Sequence, residues 1–499
     1  MKRALLSPIV SALLVSALCA ILSANAIAQS RPIPDKTPDP ARTENFRSKR
    51  YGVLFHYLPG LQNRAEALNS CGKETSWDQC VSEFDVERFA DEVARTGAGY
   101  IFFTVMQQNQ YMCAPNSAFD RLTGYKPGEA CSRRDLIAEI ADALAKRGID
   151  LYLYWTGDGP EQDPQASAGL KASYPVTAEF MRNWAEVTAE YGRRYGEKVK
   201  GWWVDGSFPF LHTEETLGIL TEGLLAGNPN RIIAFNPGVD PEVMAYSIHD
   251  DFTAGEQENF TSVPESGSFI GGAQWHVLTY LGTWWASPGV KLTKKELAQY
   301  IWTVNRLGGV VTLDMMLFRD GSLDRSQLEA VKELRARLAE QDAEAAKAAE
   351  SAPESDNLLA GGIPWSNEFV EPVPPPRFEL QLGPPRFDPR LGIDGDLSTA
   401  SVGNTWAWGY FVYLKQRRRA EKITVHFAPD GWASDFEILI KPADAEWKSL
   451  GRFDNPEGET EFTVEFPPEE IDAVRVAGYK PDGPDQPGDR MAIAELEVY

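Results

Sequence analysis

The chain changes its hydrophobic rhythm part-way along its length. From Arg50 to about Leu338, short apolar runs alternate with stretches whose apolar residues recur every three or four positions. The short runs are Tyr51–Tyr57, Gly99–Val105, Ile149–Trp155, Gly201–Asp205, Arg231–Asn236 and Gly309–Leu313. Rich in aromatic and branched residues, they predict strands. Between them, Val86–Thr96 places Val86, Phe89, Ala90, Val93 and Ala94 on one helical face. Arg134–Arg147, Ala178–Tyr195, Glu214–Leu225, Lys294–Arg306 and Arg325–Leu338 behave alike. Repeated βα units of this kind predict an α/β fold, a (β/α)8 TIM-like barrel. A doubly wound open sheet is the alternative, although no Gly-rich phosphate loop follows any strand. Two barrel strands are unclear and should fall between His249 and Ala286, where Gly, Ser and Pro blur the pattern.

Glu340–Asp356 is rich in Ala, Glu, Lys and Ser and reads as a linker, 339–356, rather than an extension of the last helix. After it the rhythm shortens. Glu421–Phe427, Asp435–Ile440, Thr460–Phe466, Ala473–Val476 and Ala492–Val498 are brief strands separated by turn residues, the signature of an all-β sandwich over 357–499. The start of the chain is different again. Lys2 and Arg3, the apolar and small run Ala4–Ser23, and Ala26-Ile27-Ala28 before Gln29 form a signal peptide over 1–28, leaving 29–338 for the barrel. No later segment has the ~18 to 20 apolar residues of a membrane span, so no membrane anchor is expected.

The formal charge of −23 argues against nucleic acid and anionic membranes as partners. Beyond the leader lie Cys71, Cys80, Cys113 and Cys131. In an exported chain they suggest two disulfides, most simply 71–80 and 113–131 among three possible pairings. No C-x-x-C or H-E-x-x-H occurs, so a metal site is not expected in the barrel. Nothing in the sequence speaks to oligomeric state.

The most informative stretch is Gly201-Trp202-Trp203-Val204-Asp205-Gly206. It reads as a buried strand ending in an acid, which is costly unless that acid is paired or used. In a βα-barrel, that end of a strand is where catalytic groups sit; the plainer alternative is an Asp that caps a turn.

Several motifs, in order, resemble the family 29 glycoside hydrolases, the α-L-fucosidases. Tyr51-Gly52-Val53-Leu54-Phe55-His56-Tyr57 is similar to the family's first strand, which ends in a substrate-binding His. Ala98–Thr104 and Ile149–Thr156 resemble its second and third strands, Trp203-Val204-Asp205-Gly206 its nucleophile motif, and Gly308–Asp314 with Arg319–Leu323 its last strand and following loop. The resemblance spans roughly residues 45 to 338. It implies a retaining exo-glycosidase that needs no catalytic cofactor, acts on carbohydrate and uses Asp205 as nucleophile, His56 binding the sugar. Retention requires a second carboxyl about 5 to 5.5 Å away. Within Asp250–Glu258 the resemblance implies Glu256 as the acid/base, with Glu258 and then Glu265 behind it. Tyr154, Trp155, Trp202 and Trp203 either line the sugar site or pack the barrel core.

Three departures qualify the resemblance. Trp275-His276 stands where one subgroup has Trp-Glu, and His276 is a candidate donor. Gln107-Gln108 replaces a pair of fucose-binding histidines; Gln both donates and accepts, so sugar binding survives in altered form. Asp314 replaces the usual Asn. A related sugar such as α-L-galactose, or a degenerate barrel that binds glycan without cleaving it, are the alternatives. The second unit resembles the discoidin-like domains of coagulation factor 5/8 C type through Ile393–Thr399 and Ala492–Val498. That implies a structural calcium at the acidic turn. Trp406, Trp408 and Tyr410 form either an aromatic platform or sandwich core, and Arg417-Arg418-Arg419 reads as a solvated edge.

Overall fold

The computed structural model describes residue 34 and residues 36–109, 111–239, 243–264, 267–351, 356–368, 389–403, 407–429, 431–443, 445–479 and 491–499. The predicted leader 1–28, Glu265 and Trp406 lie outside the described residues.

Among the described residues the first unit has nine strands, β1 (Tyr51–Phe55), β2 (Tyr100–Thr104), β3 (Asp150–Thr156), β4 (Val199–Asp205), β5 (Ile232–Phe235), β6 (Phe269–Ile270), β7 (Ala273–Gln274), β8 (His276–Tyr280) and β9 (Val310–Met315). Seven form one parallel sheet in the order β5-β4-β3-β2-β1-β9-β8, while β6 and β7 make a small hairpin. The helices Val86–Thr96, Ala178–Tyr195, Glu214–Leu225 and Lys294–Arg306 match their predicted ranges end to end. Their starts are fixed chemically. Asp85, Thr177, Thr213 and Thr293 each accept a first-turn N–H, the last two within reciprocal capping boxes.

The sheet's two edges, β5 and β8, are joined by an irregular extended segment, 251–257. Asp251 N donates to Ile233 O at 2.8 Å on the β5 side. Thr253 N donates to Gln274 O at 2.9 Å and Gln257 N to Leu278 O at 2.8 Å on the other. Two carboxylates stand in for missing ladder carbonyls on β5: Asp250 Oδ1 accepts from Phe235 N and Asp251 Oδ2 from Ile233 N. Gly255 permits the closure, since a Cβ there would come within 2.0 Å of His276 O. This segment and β8 are the two strands the sequence left blurred; with them the barrel has eight positions.

Successive residues of a strand point to opposite faces. Leu54, Tyr100, Phe102, Tyr152, Tyr154 and Trp203 pack inside the barrel, with Phe46 plugging the end where the strands begin. Val53, Phe55, Ile101, Phe103, Leu153 and Trp202 face the surrounding helices. Fully burying such side chains contributes about 1.5–3 kcal/mol each, so both layers hold the barrel together.

The segment read as a linker is helical through Ser351, within the helix Leu334–Ser351; its Ala, Glu and Lys content is that of a good helix former. The second unit is antiparallel: β10 (Ile363–Glu368), β11 (Ser401–Gly403), β12 (Ala407–Phe427), β13 (Asp435–Pro442), β14 (Lys448–Asp454), β15 (Glu461–Tyr479) and β16 (Met491–Val498). The long strand β12 buries Tyr410 and Val412, then, past a register shift, Ile423 and Val425. The shift changes which alternate residues face the core. Tyr410 is therefore core, its hydroxyl donating to Pro389 O at 2.7 Å, and Arg417 to Arg419 are exposed. Trp365 reaches the barrel's outer helix, 5.9 Å from the Tyr300 ring.

The predicted disulfides are corrected: Cys71, Cys80, Cys113 and Cys131 are free thiols. Cys71 sits exposed in a left-handed turn while Cys80 points into the core against Tyr57. Cys113 donates to Thr104 O at 3.4 Å. Closeness in sequence does not turn two thiols toward each other. Among the described residues no group of three His, Cys, Asp or Glu side chains is placed to hold a metal ion. In the turn expected to hold calcium, Asp396 accepts from Ser398, and Asp394 from Asp396 N and Thr399, so the carboxylates brace the turn itself. No helix among the described residues is long and apolar enough to cross a membrane.

Candidate active site

The strand ends converge on a cavity of about 430 Å³, lined among others by His56, Gln107, Gln108, Tyr154, Asp205 and Glu256. Asp205 closes β4 on the inward-facing set begun by Trp203. Its Oδ1 accepts from Asn236 Nδ2 at 2.9 Å, and its Oδ2 accepts from Gln107 Nε2 at 3.2 Å and from the Tyr154 hydroxyl. Three donors satisfy an acceptor-only carboxylate in a half-buried position. Gly206 follows with φ +66°, and a Cβ there would lie 2.5 Å from the Asp158 carboxyl, so the chain can leave β4 this way only with glycine.

Glu256 comes from the irregular closing segment. Its Oε2 accepts from the same Asn236 Nδ2 at 2.6 Å. Two carboxyl oxygens that share one nitrogen at these distances lie close together, within the ~5 to 5.5 Å spacing that lets one carboxyl attack and the other give a proton. Burial, and then the negative charge of Asp205, push Glu256 up to about 7. A carboxyl held protonated near neutrality beside another carboxylate is the division of labour that acid catalysis uses.

Around this pair, His56 Nδ1 meets Asp314 Oδ1 at 2.8 Å, and Asp314 Oδ2 accepts from Ala286 N at 2.6 Å. A carboxylate accepts on both oxygens, where Asn would accept on one only. Asp314 therefore fixes the imidazole and the 284–287 turn together. Trp203 stacks on Tyr154 at 5.2 Å and donates from Nε1 to Ala254 O. Gln107 Nε2 also donates to the Tyr154 hydroxyl, at 2.6 Å.

Three sequence candidates fall elsewhere. Trp155 is the neighbour of inward-facing Tyr154, so it points out of the barrel and stacks on Trp184 at 4.7 Å. His276 does face inward, but at the bottom of β8. It is fully buried beside Phe46, Phe102 and Phe252, with its nitrogens against Thr253 O and Thr312 Oγ1. Burial lowers it to about 4, so at neutral pH it is a neutral imidazole rather than a general acid. Glu258 does not line the cavity; its carbonyl accepts from Lys291 Nζ at 2.8 Å. Conversely, Asn236 was missed, although it directly follows β5 (Ile232–Phe235) with the same parity as Ile232 and Ala234, the signal that could have found it. Trp284 and Trp285 also line the cavity and were not singled out.

The family model described as alpha-L-fucosidase matches residues 29–340, more than half of the chain. Among solved structures, an alpha-L-fucosidase of family 29 from Bacteroides thetaiotaomicron is 14% identical, with 90% of this chain and 98% of that one covered at a TM-score of 0.45. A Ruminococcus gnavus family 29 fucosidase, solved in complex with fucose, is 12% identical, with 94% and 96% covered at a TM-score of 0.43. No curated protein matches. With the family match laid over a barrel whose strand ends bring Asp205 and Glu256 to one amide, this chain belongs to the alpha-L-fucosidase family of glycoside hydrolases.

Proposed function

We propose that the protein is an exported, exo-acting, retaining α-L-fucosidase in which Asp205 is the nucleophile and Glu256 the acid/base. The observation that carries this reading is the shared Asn236 amide, which brings the two carboxyls into one site. In the first step Asp205 bonds to the anomeric carbon, the bond from that carbon to the leaving oxygen breaks, and the Glu256 proton passes to that oxygen. In the second, water attacks the same carbon, its proton returns to Glu256, and the Asp205 carboxylate is released. Both steps balance without a metal or cofactor.

The apolar part of the cavity, Leu54, Leu58, Leu61 and Trp285, favours a sugar that carries a methyl over one that carries a hydroxymethyl. That supports α-L-fucose over α-L-galactose. The basic, apolar and small-residue start supports export, and the Ile393–Thr399 and Ala492–Val498 motifs support a discoidin-like second domain.

The test is release of leaving group from aryl α-L-fucoside and α-L-galactoside by the mature protein, beside Asp205→Asn. Fucoside turnover that retains anomeric configuration and disappears in the variant is expected. Folded wild-type protein that binds fucose but cleaves no fucoside would instead make it a glycan-binding barrel.

A further inference from the structure

The mouth of the cavity has two built walls that the two carboxyls do not use. One is Trp284, an exposed large apolar side chain at 48% exposure that lines the cavity and packs against Tyr280 at 5.6 Å. Its loop is held firmly. Trp284 N donates to Ser287 Oγ at 2.7 Å and Ala286 N to Asp314 Oδ2. From beneath, Asn69 Nδ2 donates to Ala286 O, and Gln327 Nε2 donates to Ser287 O and Gly289 O at 2.9 Å each. Asn69 and Gln327 are themselves buried. An indole ring held open to water on a turn fixed by three buried polar side chains is a surface kept for a ligand rather than a loose loop.

The other wall is made of amides. Gln108 has a left-handed backbone, φ 58°, rare outside glycine. Gln162 holds it there: its N–H donates to Gln108 O at 2.7 Å and its Nε2 to Gln108 Oε1 at 2.8 Å. Gln108 follows β2 and Gln162 follows β3, whereas Trp284 follows β8. In the strand order, β8 is four places from β3, which is the opposite side of an eight-position barrel. Asp205 and Glu256 line the same cavity.

We propose that Trp284, facing the Gln108–Gln162 amide pair, forms a leaving-group subsite that takes a pyranose ring on the far side of the scissile bond. The C–H face of a pyranose suits the indole, and its hydroxyls suit groups that both donate and accept. The inference rests on the fucosidase reading above, since the sugar subsite beside Asp205 must be filled for the next ring to reach Trp284.

The probes are α-L-fucosyl fluoride, whose leaving group is a single atom, and α-L-fucosyl disaccharides of the common linkages. For Trp284→Ala the ratio of kcat/KM on disaccharide to kcat/KM on fluoride should fall about ten- to a hundredfold. Trp284→Phe should restore most of it, because a smaller aromatic face remains. A ratio unchanged in Trp284→Ala, or an equal fall on both substrates, overturns the subsite. Calorimetry on Asp205→Asn separates this failure from that of the parent reading. Disaccharide bound at least about tenfold more tightly than fucose, with the gain lost on adding Trp284→Ala, supports the subsite. Fucose and disaccharide bound equally overturns the subsite alone, and neither bound overturns the fucosidase reading and the subsite with it.

Discussion

Two inward-facing histidines of this barrel have opposite fates. His56 leaves the top of β1, meets a carboxylate and lines the cavity. His276 begins β8, is packed by three phenylalanines and meets a carbonyl and a hydroxyl. Both lie on the inner face, so the face does not decide function. Height does. The lower interior is filled by Phe46, Tyr100, Phe102 and Phe252, all buried. The upper interior is opened by shorter or polar side chains at the strand ends, where Asn236 donates to both Asp205 and Glu256 and Asp314 holds His56. A polar group in the lower layer serves packing; in the upper layer it can reach a substrate.

Substitutions that attack the upper layer should have the largest effect. Asp205→Asn should reduce kcat on an aryl fucoside by on the order of 10⁴-fold or more, because no covalent intermediate can form. Retention of half the activity or more would place the nucleophile elsewhere. Glu256→Gln should lower kcat by about 10²- to 10⁴-fold on substrates with a poor leaving group. The loss should be much smaller on fucosyl fluoride, and added azide should restore turnover as fucosyl azide. Equal losses on both substrates would point to a role other than proton donor.

The two histidines themselves sharpen the contrast. His56→Ala should raise KM or lower kcat about tenfold or more, and should also cost about 1–3 kcal/mol of stability because buried Asp314 loses its partner. His276→Ala should cost about 2–4 kcal/mol of stability but leave kcat/KM within about threefold of wild type. If His276→Ala abolished turnover in a folded protein, the boundary between the layers would be drawn in the wrong place.

The smallest effects are those of pH. Glu256 must carry its proton to donate it, so kcat/KM should fall as pH rises through about 7. Part of that elevation comes from Asp205 and the larger part from burial, so in Asp205→Asn the Glu256 carboxyl should titrate lower than about 7 while staying above the ordinary value, readable by carboxyl-labelled NMR. His276 acts on stability in the other direction. Its folded value, about 4, lies below the ordinary 6.5, so between these only the unfolded chain takes up the proton. Its contribution is whole above about pH 6.5 and is lost as pH falls through about 4. The difference in unfolding free energy between wild type and His276→Ala should therefore shrink over that window; a constant difference would mean the imidazole is not desolvated.

Much of the barrel was legible in the sequence because it rests on local physics. Period-2 and period-3.6 patterns, with Asp and Thr caps, place most strands and helices within a residue or two. The acid ending Gly201–Asp205 could be read because a buried carboxylate at a strand end has few other uses. The family resemblance put Glu256 first, ahead of Glu258 and Glu265, but the sequence could not show which of them meets Asp205. Parity alone could have removed Trp155 and found Asn236, had it been carried strictly along each strand.

What only the tertiary structure decided is what depends on height and on partners distant in sequence. The closing segment 251–257 has no strand pattern, because Asp250 and Asp251 replace backbone partners with side chains. Asn236 joins Asp205 to Glu256, and Asp314 joins His56 to the Trp284 turn, each through residues tens to hundreds of positions apart. The cysteines are free thiols although their spacing invited pairing. A sequence states which face of an element is apolar, since that is set by neighbours within a turn. It does not state which groups will share a hydrogen bond, because that is set by where the chain returns.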